Sequence, residues 1–285
     1  MWVEVDGLNA FAATGGTDPA AAAAGGAIPV VLVHGAGMDS SVWQLQTRFL
    51  AHHGLAVAAV DLPGHGHSGG EPPESIEAMA HWLGRFVQAA GLAPAVLVGH
   101  SMGTFIGLEL AVHRPEMVAG LVLLGTAAAM PVHPELLAAA RDDLPRAAAL
   151  MAGWSHGGPG HLHPNPSPGL WMSGGSRALV ERSKPGVLAT DLAACAHYGG
   201  ASTAAGAVSC PVTVVMGRSD KMTPARAATP LLDALTSRSE PAGSATEVIT
   251  LASSGHMQMT EDAAVIRRII LDAAIAIHHS FQSTN

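Results

Sequence analysis

Short apolar runs that alternate with helical patterns constrain this chain more than any other feature. Pro29–His34, Leu55–Val60, Ala95–Val98 and Val118–Leu124 are continuous runs of strand length, rich in Val, Leu and Ala. A strand with no polar alternation offers no face to water, so both of its faces must be covered. The segments between the runs read as helices. Val42–His53 carries Val42, Leu45, Phe49 and Leu50 at helical spacing and is closed by Gly54. Ser75 is placed to cap a helix to about Ala90, with Ile76, Met79, Leu83, Phe86 and Val87 on one face. Phe105–His113 is a third helix, closed by Arg114 and Pro115. Strand–helix alternation builds parallel βαβ units. The expected fold class is therefore α/β: an open, doubly wound, mostly parallel sheet.

The pattern breaks in mid-chain. From about Ala127 to Ala207 no strand is legible. One helix fits Pro134–Ala140 and another fits Val187–His197, while Gly153–Gly175 is rich in Gly, Pro and His and predicts no regular structure. The sheet pattern resumes at Pro211–Met216, followed by a helix at Pro224–Leu235, a strand at Glu247–Leu251 and a last helix at Glu261–Ile277. Residues 1–126 and 208–285 thus form the expected core, and 127–207 an inserted, mainly helical cap. An insertion of roughly 80 residues after a strand end is usually a lid over a site. Ahead of the first run, Trp2–Ala13 reads as an edge strand and a turn. Thr14–Ala27, rich in Gly and Ala, reads as a loose loop with no assigned role.

Gly99-His-Ser-Met-Gly103 follows one of the buried strands and precedes a helix. A G-x-S-x-G turn in that setting is sharp and strained. It lifts the serine hydroxyl clear of the sheet at a helix N-terminus, where developing negative charge is favoured. A serine hydroxyl is a poor nucleophile and needs a base. In this scheme the acid and then the base follow the serine in the chain. Asp220 follows the strand ending at Met216, and His256 follows the strand ending at Leu251. Ser101 is thus the expected nucleophile, His256 the base and Asp220 the residue that orients the imidazole. Asp191 and Asp233 are weaker alternatives for the acid, because neither directly follows a strand. Two oxyanion donors are expected: the N–H of Met102 and that of Ala36 in His34-Gly-Ala-Gly37. The Met102 side chain is expected to line the site as well. His34 and Asp61 read as structural.

These motifs, with Asp61-Leu-Pro-Gly-His-Gly-His-Ser68 and Gly255-His256, resemble the α/β-hydrolase family, in particular its branch of small cap-bearing bacterial esterases, perhydrolase-like enzymes and carbon–carbon bond hydrolases. The resemblance runs from about Pro29 to the C-terminal helix and excludes the cap. It implies an α/β-hydrolase fold and a serine hydrolase with no cofactor and no metal. Dehalogenases and epoxide hydrolases of the family carry Asp where this chain has Ser101, so those two chemistries are not expected. The expected reaction is hydrolysis of short to medium, fairly apolar carboxylic esters. Cleavage of carbon–carbon bonds in ring-cleavage dienoates, or of lactones and amides, is the alternative on the same residues. A hydrolase-like ligand receptor is the non-enzymatic alternative. A carbon–carbon hydrolase needs cations for its substrate carboxylates, and Arg177, Arg182 and Lys184 are the candidates in the cap.

Cap residues are expected to set specificity, with Met130, Trp154 and Trp171 lining the substrate pocket. His133, His156, His161, His163 and His197 show no metal-ligand spacing and read as loop histidines. Arg141, Asp142 and Asp143 read as a solvated helix end. The chain has 22 acidic against 14 basic side chains, net −8, which offers no basic face to nucleic acid. Two cysteines cannot frame a disulfide scaffold and are expected as reduced thiols. Trp2, Glu4 and Asp6 do not make the basic start of a signal peptide, and Ala20–Ala24 is too short and weakly apolar to span a bilayer. The expectation is a cytoplasmic protein that acts on a small-molecule ester without a membrane partner. Its low charged fraction, 13%, is compatible with a homodimer.

Overall fold

The computed structural model describes residues 1–157, 171–238 and 245–284. Its centre is an eight-stranded sheet. Five strands run parallel: β3 (Pro29–Val33), β5 (Ala95–His100), β6 (Val118–Leu124), β7 (Val212–Gly217) and β8 (Thr246–Leu251), and β4 (Ala56–Val60) pairs parallel with β3. A hairpin of β1 (Trp2–Val5) and β2 (Leu8–Ala13) adds to β4 in antiparallel fashion. The strand order is β1-β2-β4-β3-β5-β6-β7-β8.

Strand alternation divides the core in two. In β3, Val31 and Val33 face one side with Leu97 and Leu123, beneath α3 (Ile76–Ala89), α4 (Met102–His113) and α10 (Ala225–Ser237). Val30 and Leu32 face the other side with Val96, Val98 and Val122, against α2 (Gln44–His52) and α12 (Ala263–Thr284). Val30 to Val33 are fully buried, which is why the run shows no polar alternation. Burying such a side chain is worth about 1.5–3 kcal/mol. Ser75 caps α3 by accepting from the Ala78 N–H, as its sequence position implies.

Between β6 and β7 the chain forms α5 (Pro134–Asp142), α6 (Leu144–Ser155), α7 (Met172–Glu181), α8 (Val187–His197) and α9 (Ala201–Ala207). The last of these packs against α4 and α10. Three of these helices were not expected. Asp143, expected at a solvated helix end, instead caps α6 by accepting from the Arg146 N–H. The loop expected at Thr14–Ala27 contains a short helix, α1 (Pro19–Ala24). Asp18 caps it by accepting from the Ala20 and Ala21 N–H groups, and Pro19 starts it with a pre-set φ. Cys195 and Cys210 are buried free thiols. No described helix is long and apolar enough to cross a membrane.

Candidate active site

The C-terminal ends of β5, β7 and β8 bring three loops together. Ser101 joins β5 to α4 at φ 52 and ψ −118, a strained conformation for a residue with a Cβ, costing about 1–3 kcal/mol. The surroundings hold it there. Its N–H donates to Leu124 O at 2.9 Å, and the Thr104 N–H and hydroxyl donate to its carbonyl at 2.8 and 2.6 Å. The flanking glycines are required by close approach. A Cβ on Gly99 would lie 2.3 Å from Gly103 O, and one on Gly103 would lie 2.5 Å from Val33 O.

Two strands along the sheet, Asp220 lies in the loop after β7, and its Oδ2 is 2.8 Å from His256 Nδ1. Its Oδ1 accepts from the Met222 and Thr223 N–H groups, each at 2.8 Å. The Thr223 hydroxyl oxygen lies 2.8 Å from Asp220 Oδ2, 3.0 Å from Gly125 O and 3.1 Å from His256 Nδ1. Burial alone would raise the Asp220 carboxyl. The adjoining His256 ring and the Thr223 N–H and hydroxyl outweigh it, and the group sits well below the usual carboxylate range. His256 is held from three sides: by Asp220, by its own N–H donating to Ser155 O at 2.6 Å, and by His100, whose Nε2 lies 3.0 Å from His256 O. Burial, with the His256 ring beside it, pushes His100 down to about 3, so it is neutral and gives its one ring proton to that carbonyl.

Ser101 and His256 line one cavity of about 400 Å³. Ala36, Met130 and Trp154 line it too. Leu136, Met151 and Leu192 from the inserted helices make the wall apolar. The N–H groups of Ala36 and Met102 donate to no backbone acceptor among the described residues.

Two expectations for side chains need correction. Trp171 does not line the cavity. It is 78% exposed at the start of α7, and its indole lies over the backbone of Gly174, which has no Cβ to displace it. The Met102 side chain is fully buried in the core rather than facing the site, because the first turn of α4 points it inward. Arg177 pairs with Glu181, and Arg182 pairs with Asp39, both at exposed positions outside the cavity. Lys184 donates to Ser68 O. The lysine that does line the cavity is Lys221, next to Asp220, and the sequence reading passed over it. Of the histidines, His133 lines the cavity and accepts from the Glu135 N–H, and His156 is buried beside Ala152 O. His161 and His163 lie outside the described residues. No group of three His, Cys, Asp or Glu side chains that could hold a metal ion occurs among the described residues.

His34 and Asp61 order loops. His34 Nε2 accepts from the Leu62 N–H, and the buried Asp61 accepts from the Ser40 and His67 N–H groups. Thr223 and Glu261 were missed. Thr223 had a signal, since Asp-x-x-Thr after a strand is a side-chain-closed turn. Glu261 had none. Its carboxylate accepts from the N–H of Gly255, beside His256, and from that of Gly157, beyond α6.

A fold of this topology with a serine elbow and a following Asp–His pair defines a class. The chain matches the family described as alpha/beta hydrolase fold over residues 28–167. A relative from Klebsiella pneumoniae (strain 342), named as a candidate carbamate hydrolase, RutD, is 30% identical over 70% of this chain and 76% of its own. The chain belongs to the α/β-hydrolase family. Its fold is similar to that of a thermophilic esterase from Thermogutta terrifontis, with a TM-score of 0.79 and 22% identity over 98% of each chain. It is equally similar to the enol-lactonase from Burkholderia xenovorans LB400, with a TM-score of 0.79 and 21% identity over 95% of this chain and 98% of the other.

Proposed function

We propose that this hydrolase cleaves carboxylic esters with short to medium, fairly apolar acyl or aryl groups, through an acyl-enzyme on Ser101. The observation that carries the reading is the strained Ser101 opening into the same apolar cavity as an Asp220-bound His256. Ser101 Oγ attacks the ester carbonyl carbon while His256 Nε2 takes its proton. Asp220 keeps the remaining ring proton on Nδ1 and stabilises the imidazolium. The carbonyl oxygen, now an anion, receives the N–H groups of Ala36 and Met102 at the head of α4. When the C–O bond breaks, His256 returns the proton to the departing alcohol. Water then repeats the sequence on the acyl-enzyme: His256 removes its proton, the hydroxide oxygen bonds to the acyl carbon, and Ser101 leaves reprotonated. The inserted helices act as a cap, and their Met and Leu side chains can re-pack around several acyl groups.

A carbon–carbon hydrolase would need several cations for a dienoate. Arg177 and Arg182 are engaged elsewhere, and Lys221 alone among the described Lys and Arg residues lines the cavity. The carbamate in the name of the Klebsiella relative also presents an acyl carbon, so carbamates belong in the same assay. The test is hydrolysis of p-nitrophenyl esters from acetate to decanoate, with aryl carbamates and a dienoate alongside. Esters are expected to be cleaved with an optimum at short to medium chains. Cleavage of the dienoate or carbamate alone would replace the ester reading. Inactivity on every member, with no reaction of Ser101 with a phosphonate, would favour a ligand receptor.

A further inference from the structure

Asp191 sits on α8, within the inserted segment, and is fully buried. Its Oδ2 accepts from the Gly37 N–H at 2.8 Å and lies 2.8 Å from His65 Nε2. Gly37 is the residue after Ala36. One helical turn before Asp191, on the same face of α8, Leu188 closes on Gly37 so tightly that a Cβ there would lie 2.6 Å from its Cδ1. One face of α8 therefore holds the loop that carries the Ala36 N–H, by packing and by a charged hydrogen bond.

The partner of Asp191 is itself charged. The other ring nitrogen of His65, Nδ1, lies 2.9 Å from Pro63 O. Both nitrogens face acceptors only, so both carry protons and His65 is an imidazolium. Burial alone would lower its titration point, but the Asp191 carboxylate and the Pro63 carbonyl outweigh burial and raise it. The groups around the pair fit this assignment. His34 lies with its ring centroid 4.8 Å from that of His65, and burial and the neighbouring charge push it down to about 4, so it is neutral. The buried Asp61 adds a further negative charge on the His65 side. Cys195, one turn after Asp191 on α8, is pushed up by burial and by Asp191 and stays a thiol.

We propose that Asp191 and His65 are positioning residues for the oxyanion hole: a buried ion pair, contributed half by the inserted helices and half by the loop after β4, that fixes the backbone at Ala36 and Gly37. The proposal rests on the serine-hydrolase reading of Ala36. When His65 loses its proton at high pH, Asp191 is left buried without its counter-charge. The clamp then loosens, and reactions that need the oxyanion donor slow down.

Phosphonylation tests both levels, because the phosphonyl oxygen uses the same donors and no natural substrate is needed. The rate of Ser101 labelling by a fluorophosphonate would be followed from pH 6 to 10 in wild type, Asp191→Asn and His65→Gln. Wild type is expected to label at Ser101 with a rate that falls at the alkaline end. Both variants are expected to label about 10–100-fold more slowly, short of the 10²–10³ that deleting a donor outright costs, and without the alkaline fall. In ester hydrolysis the same loss would appear in kcat with KM nearly unchanged. Wild-type rates from folded variants, or a loss confined to KM, would overturn the positioning role alone. The absence of an alkaline fall in wild type would do so even if neither variant folds. Failure of wild-type Ser101 to label at all would overturn the serine-hydrolase reading and the proposal with it.

Discussion

Thr223 touches three parts of the site with one hydroxyl: Asp220, His256 and the Gly125 carbonyl at the end of β6. Thr223→Val removes the hydroxyl and keeps the shape and the backbone N–H. It leaves a buried carboxylate oxygen short of a partner, at about 1–3 kcal/mol, so kcat is expected to fall about 10–100-fold. The sign of the pH effect follows from Asp220. Its carboxyl is held below its ordinary value, so it contributes stability that is fully present above about pH 3.9 and is lost as pH falls through the folded value. Thr223→Val weakens that hold, and the acid-unfolding midpoint is expected to move to higher pH. An unchanged midpoint in acid titration by circular dichroism would contradict it. At this scale the sequence was readable where chemistry restricts residue type. Ser101, Asp220 and His256 stand out by motif and order. The second layer does not, since Glu261 and Asp191 act through bonds to glycine N–H groups distant in the chain, and no spacing announces those.

The inserted helices form part of the cavity's wall and hold its neighbouring loops. On one side α8 grips the Gly37 backbone through Asp191. On the other, Ser155 at the end of α6 accepts from the His256 and Met257 N–H groups, and Glu261 joins Gly157 to Gly255. Glu261→Ala would leave two buried N–H groups unsatisfied, at about 1–3 kcal/mol each. A lowered Tm and a lowered kcat are expected together, because Gly255 adjoins His256. A lowered Tm with full kcat would show that this joint supports the fold without placing the histidine. The strands of the core were legible because each is a buried apolar run bounded by turn residues. The helices α6, α7 and α9 were not, since Ala- and Gly-rich segments carry little periodicity and tertiary packing decides their structure. Trp171 illustrates the same limit: its composition suits a pocket, but its position at a helix start over Gly174 turns it to solvent.

Across the whole molecule, the parallel sheet places every chemical group at the C-terminal ends of its strands. Ser101 after β5, Asp220 after β7 and His256 after β8 converge there, with the loop after β3 beside them. Residues of the inserted helices line an apolar cavity of about 400 Å³ that Ser101 shares, a volume suited to a small organic substrate. In the proposed reaction the acyl group is carried on Ser101 Oγ. The most direct test is to mix the protein with p-nitrophenyl butyrate, quench in acid within a turnover, and map the acyl group by peptide mass spectrometry, with Ser101→Ala in parallel. A butyryl group is expected on the peptide containing Ser101 and none in the variant, whose kcat falls by several orders of magnitude. An acyl group on another residue, or a Ser101→Ala protein that hydrolyses the ester at the wild-type rate, would contradict it.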